Sequence, residues 1–164
     1  MDYDFRLARN DEIAAIFSLY EKRVQWMDKS GVQQWNTTDY LNVYPISYYE
    51  KRQSFEELYV LSRENTIIGA VVLLKNDERW PENENSPAYY VHNLVTEPSI
   101  KGVGKIILSS AEKMALSKGM KFMRLDCAVD NEFLNQYYDS MGYKLVGYCE
   151  DGAYIGNKRE KEFH

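Results

Sequence analysis

Apolar residues recur along the chain with two periods, near two and near 3.6, and each switch between them marks an element boundary. Residues 5–8 read as a short first strand. Asn10 or Asp11 then caps a helix in which Ile13, Ile16, Phe17, Tyr20, Val24 and Met27 keep helical spacing until Gly31. Residues 33–44 are polar, aromatic and irregular, and Pro45 opens a shorter helix to about Phe55. A hairpin follows, with strands 57–63 and 66–75 around Glu64-Asn65, where Asn tolerates the positive φ of a tight turn. Gly69 inside the second of these strands marks a bulge or a close backbone approach. Residues 76–87 form an acidic loop with two prolines. Then come a long central strand, 88–96, ended by Pro98, and a helix, 102–117, with Val103, Ile107, Ala111, Met114 and Ala115 as its apolar stripe. A strand at 121–129, a helix from the Asn131 cap to about Ser140, and strands at 143–149 and 154–163 complete the chain.

The order β-α-α-β-β-β-α-β-α-β-β places a right-handed βαβ unit in the second half and an antiparallel hairpin in the first, which predicts a mixed α/β sheet with helices on both faces. No repeat, linker or low-complexity tract interrupts it, so residues 1–164 read as one domain, long enough to bury its own core. Cys127 and Cys149 are too few for a disulfide framework and sit in apolar stretches, as small buried hydrophobes do. The start, MDYDFRLARND, has no leader-like apolar run, and no stretch approaches the ~20 apolar residues of a membrane span. The expectation is a cytoplasmic, reduced protein without a membrane partner. Fourteen tyrosines supply half-polar surface suited to pockets and strands.

The net charge of −5 argues against a nucleic-acid partner. Residues 99–121 are the local exception, with five lysines against one acid, Glu112, for a net +4. In that window the central strand runs out through Glu97-Pro98-Ser99-Ile100-Lys101 into Gly102-Val103-Gly104-Lys105. Two glycines at a helix start let the backbone approach a bulky anion, and the free N–H groups of the first turn point at it. The segment lacks the length of a P-loop and the third glycine of a dinucleotide fingerprint, which leaves a pyrophosphate at one helix end. The alternative is a merely flexible helix start. No metal is called for.

Some thirty residues later, Asn131 opens a helix that carries Tyr137-Tyr138 and ends in Met141-Gly142-Tyr143. With these two motifs in this order, the chain resembles the GNAT superfamily of acetyl-CoA-dependent N-acetyltransferases. That family shows [RQ]-x-x-G-x-[GA] after its central strand and later N-x-x-x-x-x-x-Y-x-x-x-G-[FY]. Here the first is Ser99-Ile100-Lys101-Gly102-Val103-Gly104, and the second runs from Asn131 through Tyr138 to Gly142-Tyr143. The resemblance implies a mostly antiparallel seven-stranded sheet whose central parallel pair splays apart to take acetyl-CoA as cosubstrate. By position, backbone groups of Leu94, Val95 and Thr96 would pair with the pantetheine arm. The amides of Lys101, Gly102, Val103, Gly104 and Lys105 would hold the pyrophosphate, and Asn131 would contact the pantetheine. Ser99 stands where the family has Arg or Gln, and Lys101 is the candidate replacement for the missing donor.

The implied reaction is direct attack of a primary amine on the thioester in a ternary complex, the acceptor being a small molecule or a peptide. Tyr138, near the sulfur, would act as general acid, with core packing as the alternative. His92, read as sharing a face with Tyr90 and Leu94, is the candidate base, or a structural histidine. Cys127, as an acetyl-enzyme nucleophile, has no neighbouring base in sequence. Trp26, Gln33, Gln34, Trp35, Tyr40, Tyr44, Tyr48 and Tyr49 cluster where the acceptor would lie, with Trp26, Trp35 and Tyr90 as the candidate substrate contacts. The acidic loop would attract a basic acceptor or be a solvated surface. A non-catalytic acyl-CoA sensor on the same fold is the competing reading, and a homodimer is left open.

Overall fold

The computed structural model describes residues 2–32, 34–81 and 86–164. The strands are β1 (Tyr3–Leu7), β2 (Leu58–Arg63), β3 (Thr66–Leu74), β4 (Ala88–Thr96), β5 (Phe122–Ala128), β6 (Lys144–Asp151) and β7 (Tyr154–Glu162), and the helices are α1 (Ile13–Ser30), α2 (Tyr40–Val43), α3 (Ile46–Ser54), α4 (Val103–Ser117) and α5 (Glu132–Ser140). The strands form one seven-stranded mixed sheet in the order β1-β2-β3-β4-β5-β7-β6, in which β4 and β5 are parallel. The expected sheet is thus observed, and the boundaries differ from the sequence reading by one or two residues. The added pieces are short: 3-10 turns at Asn10–Glu12 and Trp35–Thr37, and the four-residue α2. They lie where periodicity was weakest.

The chain divides into two compact units, residues 1–72 with 93–111 and residues 73–92 with 112–164. In the first, α1 buries Ile13, Ile16, Leu19, Tyr20 and Met27 and ends at Gly31, whose φ of 73° is the left-handed cap expected there. Glu64 and Asn65 both take positive φ, 52° and 65°, as a two-residue hairpin turn with right-handed twist requires. Both readings of Gly69 hold. Leu61 pairs with Gly69 but Ser62 pairs with Ile67, so Ile68 is bulged. A Cβ on Gly69 would sit 2.5 Å from Ile107 Cδ1 and 3.1 Å from the Val95 carbonyl oxygen. This glycine therefore sets how closely α4 lies on the strands, and the fully buried Ile107, worth about 1.5–3 kcal/mol of apolar transfer, depends on it.

In the second unit, β5 pairs antiparallel with β7 along its whole length, from Phe122↔Glu162 to Ala128↔Gly156. On its other side it meets β4 at only three pairs, Ala88↔Phe122 to Tyr90↔Arg124. The core here is built around a cation. Arg124, 1% exposed, lies against the rings of Phe122, Trp80 and Tyr90, donates to Glu160 Oε2 at 2.7 Å and reaches the Tyr90 hydroxyl at 2.9 Å. A guanidinium in such a place must keep its donors paired, and its planar fork stacks on aromatic faces.

Candidate functional site

The first unit carries the glycine turn read in sequence as a candidate anion site. Gly102 adopts φ 83°, and a Cβ built there meets nothing within 4 Å, so its surroundings are open. The first backbone bond of α4 runs from Ile106 N–H to the Gly102 carbonyl at 3.4 Å, which leaves the amides of Val103, Gly104 and Lys105 without an intrahelical acceptor. Lys101 and Lys105 are exposed beside them. Ser99, where a larger donor was expected, is exposed on the same loop. Free amides, positive dipole and two cations in open space fit a pyrophosphate.

Just upstream lies a feature the sequence reading missed. Asn93 sits in the middle of β4 with φ 54°, a left-handed conformation uncommon for a side-chain-bearing residue. Three tyrosines hold it. Tyr20 O–H donates to the Asn93 carbonyl, Tyr48 O–H donates to Oδ1 at 2.8 Å, and Asn93 Nδ2 donates to the Tyr40 hydroxyl at 2.6 Å. The two-residue alternation that placed His92 and Leu94 on one face does not carry through such a residue. Beyond it, Arg23 holds the Thr96 carbonyl at 2.8 Å and Lys22 pairs with Glu97 at 2.6 Å, tethering the strand's end to α1. The signal available in sequence was an Asn, after glycine among the residues most tolerant of αL, between His92 and Leu94.

The expected aromatic cluster also forms in this unit. Trp35 stacks on Tyr40 at 4.2 Å, and Tyr40, Tyr44, Tyr48 and Tyr49 follow one another at 4.8–5.1 Å. Burial first, only partly offset by the Asn93 bond, holds the Tyr40 phenol above its ordinary pKa. Tyr20 and Tyr49 are fully buried, so only part of the cluster has a face to offer. Trp26 stands apart on α1, more than a third exposed, under the Arg23 guanidinium at 4.8 Å. Gln33 lies outside the described residues, as do Glu82, Asn83 and Glu84 of the acidic loop.

The second unit gathers the titratable candidates. Tyr138 is buried on the inner face of α5 between the rings of Tyr137 and Tyr143. Burial, then the nearby Cys127, Tyr137 and Asp126, lifts its phenol well above the ordinary value, so it stays protonated and is a donor rather than a base. Asn131 Oδ1 accepts the Leu134 N–H at 3.0 Å, the cap predicted for it. Asn135, which the sequence reading passed over, is the hub beside it. Its Oδ1 accepts from Cys127 Sγ, Asn157 Nδ2 and Arg159 Nε. Burial pushes the Cys127 thiol up to about 11, which removes the thiolate a nucleophile needs.

His92 Nε2 lies 2.6 Å from Asp77 Oδ2. In sequence Asp77 belongs to the acidic loop, expected to attract a basic acceptor or to be a solvated surface. Instead its side chain is 8% exposed, and Trp80, three residues on, is a core residue at 2%. Here the apolar ring of Trp80 overrode the polar composition around it. Burial opposes ionisation of Asp77, but the His92 bond and charge outweigh it and bring its carboxyl below the ordinary value. Nearby, Arg79 binds Asp126 at 3.1 Å and Asp151 at 2.9 Å, and Tyr154 O–H donates to Asp126 at 2.6 Å. Ligand atoms of Asp77, His92 and Asp126 lie within 4.8 Å of one another, the spacing of a metal site, but Arg79 already neutralises Asp126. Tyr90, expected to face substrate, is 2% exposed and commits its ring and hydroxyl to Arg124, Trp80 and the core.

Comparison with known proteins follows the same lines. The profile of the acetyltransferase (GNAT) family matches residues 17–143. An uncharacterized N-acetyltransferase, YesJ, of Bacillus subtilis (strain 168) is 22% identical over 158 residues, covering 90% of this chain and 85% of the relative. An acetyltransferase of the GNAT family from Listeria monocytogenes 4b F2365 superposes with a TM-score of 0.83 at 25% identity, covering 98% of this chain and 95% of that one. The PaiA N-acetyltransferase of Thermoplasma acidophilum, solved in complex with coenzyme A, superposes with a TM-score of 0.76 at 17% identity, over 99% of this chain and all of that one. Among the described residues, no helix is long and apolar enough to cross a membrane.

Proposed function

The chain belongs to the acetyltransferase (GNAT) family, whose cosubstrate is acetyl-CoA, and from that premise we propose that it is an enzyme transferring an acetyl group to a primary amine by direct attack in a ternary complex. The observation that carries the reading is the Gly102–Lys105 turn, with three amides lacking an intrahelical acceptor, an open left-handed glycine and two exposed lysines. These residues would bind the diphosphate, Leu94, Val95 and Thr96 would offer backbone groups to the pantetheine, and Asn131 would add its free amide nitrogen.

Acetyl-CoA supplies an acetyl carbonyl activated as a thioester. The protein's own residues do the rest. His92 takes a proton from the amine. A backbone N–H of Leu94 or Val95, beside the left-handed Asn93, faces the carbonyl oxygen as it gains charge. Tyr138 gives its hydroxyl proton to the leaving sulfur, the role its buried and protonated state supports. Trp35 and the exposed faces of the tyrosines beside it frame the acceptor, a small molecule or a peptide, with Trp26 at the margin. Cys127 has no part, and transfer needs no acetyl-enzyme.

Tyr138→Phe tests this. It keeps the ring and removes one proton donor, so kcat with a responsive amine should fall roughly 10²- to 10⁴-fold. The thermal shift produced by acetyl-CoA should not change. Wild-type turnover in Tyr138→Phe would overturn the general-acid role. A chain that binds acetyl-CoA yet acetylates no amine would be the sensor instead.

A further inference from the structure

The His92–Asp77 contact goes one step beyond that reading and rests on it. The Asp77 carboxylate is held at both oxygens: Oδ2 lies 2.6 Å from His92 Nε2, and Oδ1 accepts the Arg79 backbone N–H at 2.9 Å. Neither side chain is free to turn, being 8% and 16% exposed. A carboxylate has only acceptors to offer, so the ring nitrogen facing it must carry a hydrogen. We infer that Asp77 is the positioning residue of the proposed base: it holds His92 with Nε2 protonated and leaves Nδ1 as the one atom that takes the acceptor's proton.

The surrounding charges favour Asp77 for this part over its neighbour. Asp126 also comes near, but Arg79 Nη1 and the Tyr154 hydroxyl, at 3.1 Å and 2.6 Å, occupy its Oδ2. Arg79 also spans to Asp151, and Lys158 Nζ donates to the Arg79 carbonyl at 3.1 Å. Three carboxylates and two cations therefore face this corner, and of the three only Asp77 has an oxygen on His92. In the step itself, Nδ1 accepts the proton of the amine as the N–C bond forms and the C–S bond breaks. Tyr138 protonates the sulfur and regains a proton from solvent, while His92 gives its proton up to solvent, so both groups return to their starting states. Asp77 stays ionised throughout and stabilises the imidazolium by charge and orientation.

The chain has two histidines, His92 and His164, so the tautomer can be read without a large assignment. In protein labelled with ¹⁵N-histidine, long-range ¹H–¹⁵N spectra above the imidazole titration should show one ring locked as Nε2–H. His164→Ala should leave that signal in place. Asp77→Asn should replace it with averaged shifts, lower kcat/KM at least tenfold, and leave the acetyl-CoA thermal shift unchanged. In a His92→Gln background it should add no further loss. An averaged ring in the wild-type protein, or shifts untouched by Asp77→Asn, would overturn the assignment before any activity is measured. If His92→Gln is inactive while Asp77→Asn is fully active, the positioning role alone fails. If His92→Gln keeps full activity, the base assignment under the proposed function fails, and this one with it.

Discussion

Replacing Asn93 by glycine should separate the two things that residue does. Glycine accepts φ 54° without steric cost, so the strand can keep its path. What is lost is the side chain, which donates to the Tyr40 hydroxyl at 2.6 Å and accepts from Tyr48 at 2.8 Å. Tyr40 is 8% exposed and would be left with a buried polar group short of a partner, at a cost of about 1–3 kcal/mol. Tyr48 is only half-buried, so water or a neighbour can replace the bond, and about 0.5–1 kcal/mol is lost there. The sum is about 1.5–4 kcal/mol, or roughly 3–15 °C in Tm for a chain of this length. Asn93→Ala should cost about 1–2 kcal/mol more, because alanine must be forced into the left-handed region. Tyr48→Phe should cost only the smaller share. Scanning calorimetry on the three variants gives the order directly. Unchanged stability in Asn93→Gly would refute the claim that the amide matters, and an alanine variant more stable than the glycine one would refute the claim of backbone strain.

Gly69→Ala should lose about 1–3 kcal/mol by overpacking, since its new methyl would meet Ile107 Cδ1 at 2.5 Å, and denaturant titration should show a lower midpoint with the same slope. Gly104→Val should weaken acetyl-CoA binding at least tenfold by calorimetric titration, by crowding the first turn of α4, while Tm without ligand changes little. The acid side of the stability profile should depend on Glu12. The bidentate Arg6 pair at 2.8 Å, then the Arg9 N–H, draw its carboxyl below the ordinary value against the opposing effect of burial. A group depressed in the folded state stabilises above its unfolded pKa and loses that contribution as pH falls through the folded one. Tm should therefore drop less between about pH 5 and pH 2 in Glu12→Gln than in wild type.

Much of this was legible because period and punctuation agreed. The α1 stripe, the Glu64-Asn65 turn, the Ala88–Thr96 strand and the Asn131 cap were each marked twice, by apolar spacing and by a residue that turns, caps or ends the backbone there. The open glycine turn at the start of α4 was legible for the same reason, since glycines, lysines and a helix start coincide in sequence. What escaped were positions where distant segments decide. Asn93 looks like an ordinary strand residue until Tyr20, Tyr40 and Tyr48 converge on it from 45 to 73 residues away. Asp77 looks solvated until His92, fifteen residues on, turns toward it. Tyr90 looked available because nothing local reveals that Arg124 occupies its hydroxyl. Polar partners this far apart in sequence leave no period to read.

The three tryptophans occupy three different environments, and that gives the protein built-in optical reporters. Trp80 is sealed beside Arg124 and Lys158 in the second unit, whereas Trp35 lies flat on Tyr40 and Trp26 faces outward in the first. Single-tryptophan versions would emit at distinct wavelengths, the Trp80 version furthest to the blue. Following each during denaturation would show whether residues 73–92 with 112–164 melt in step with the remainder or on their own, with no dye or tag attached.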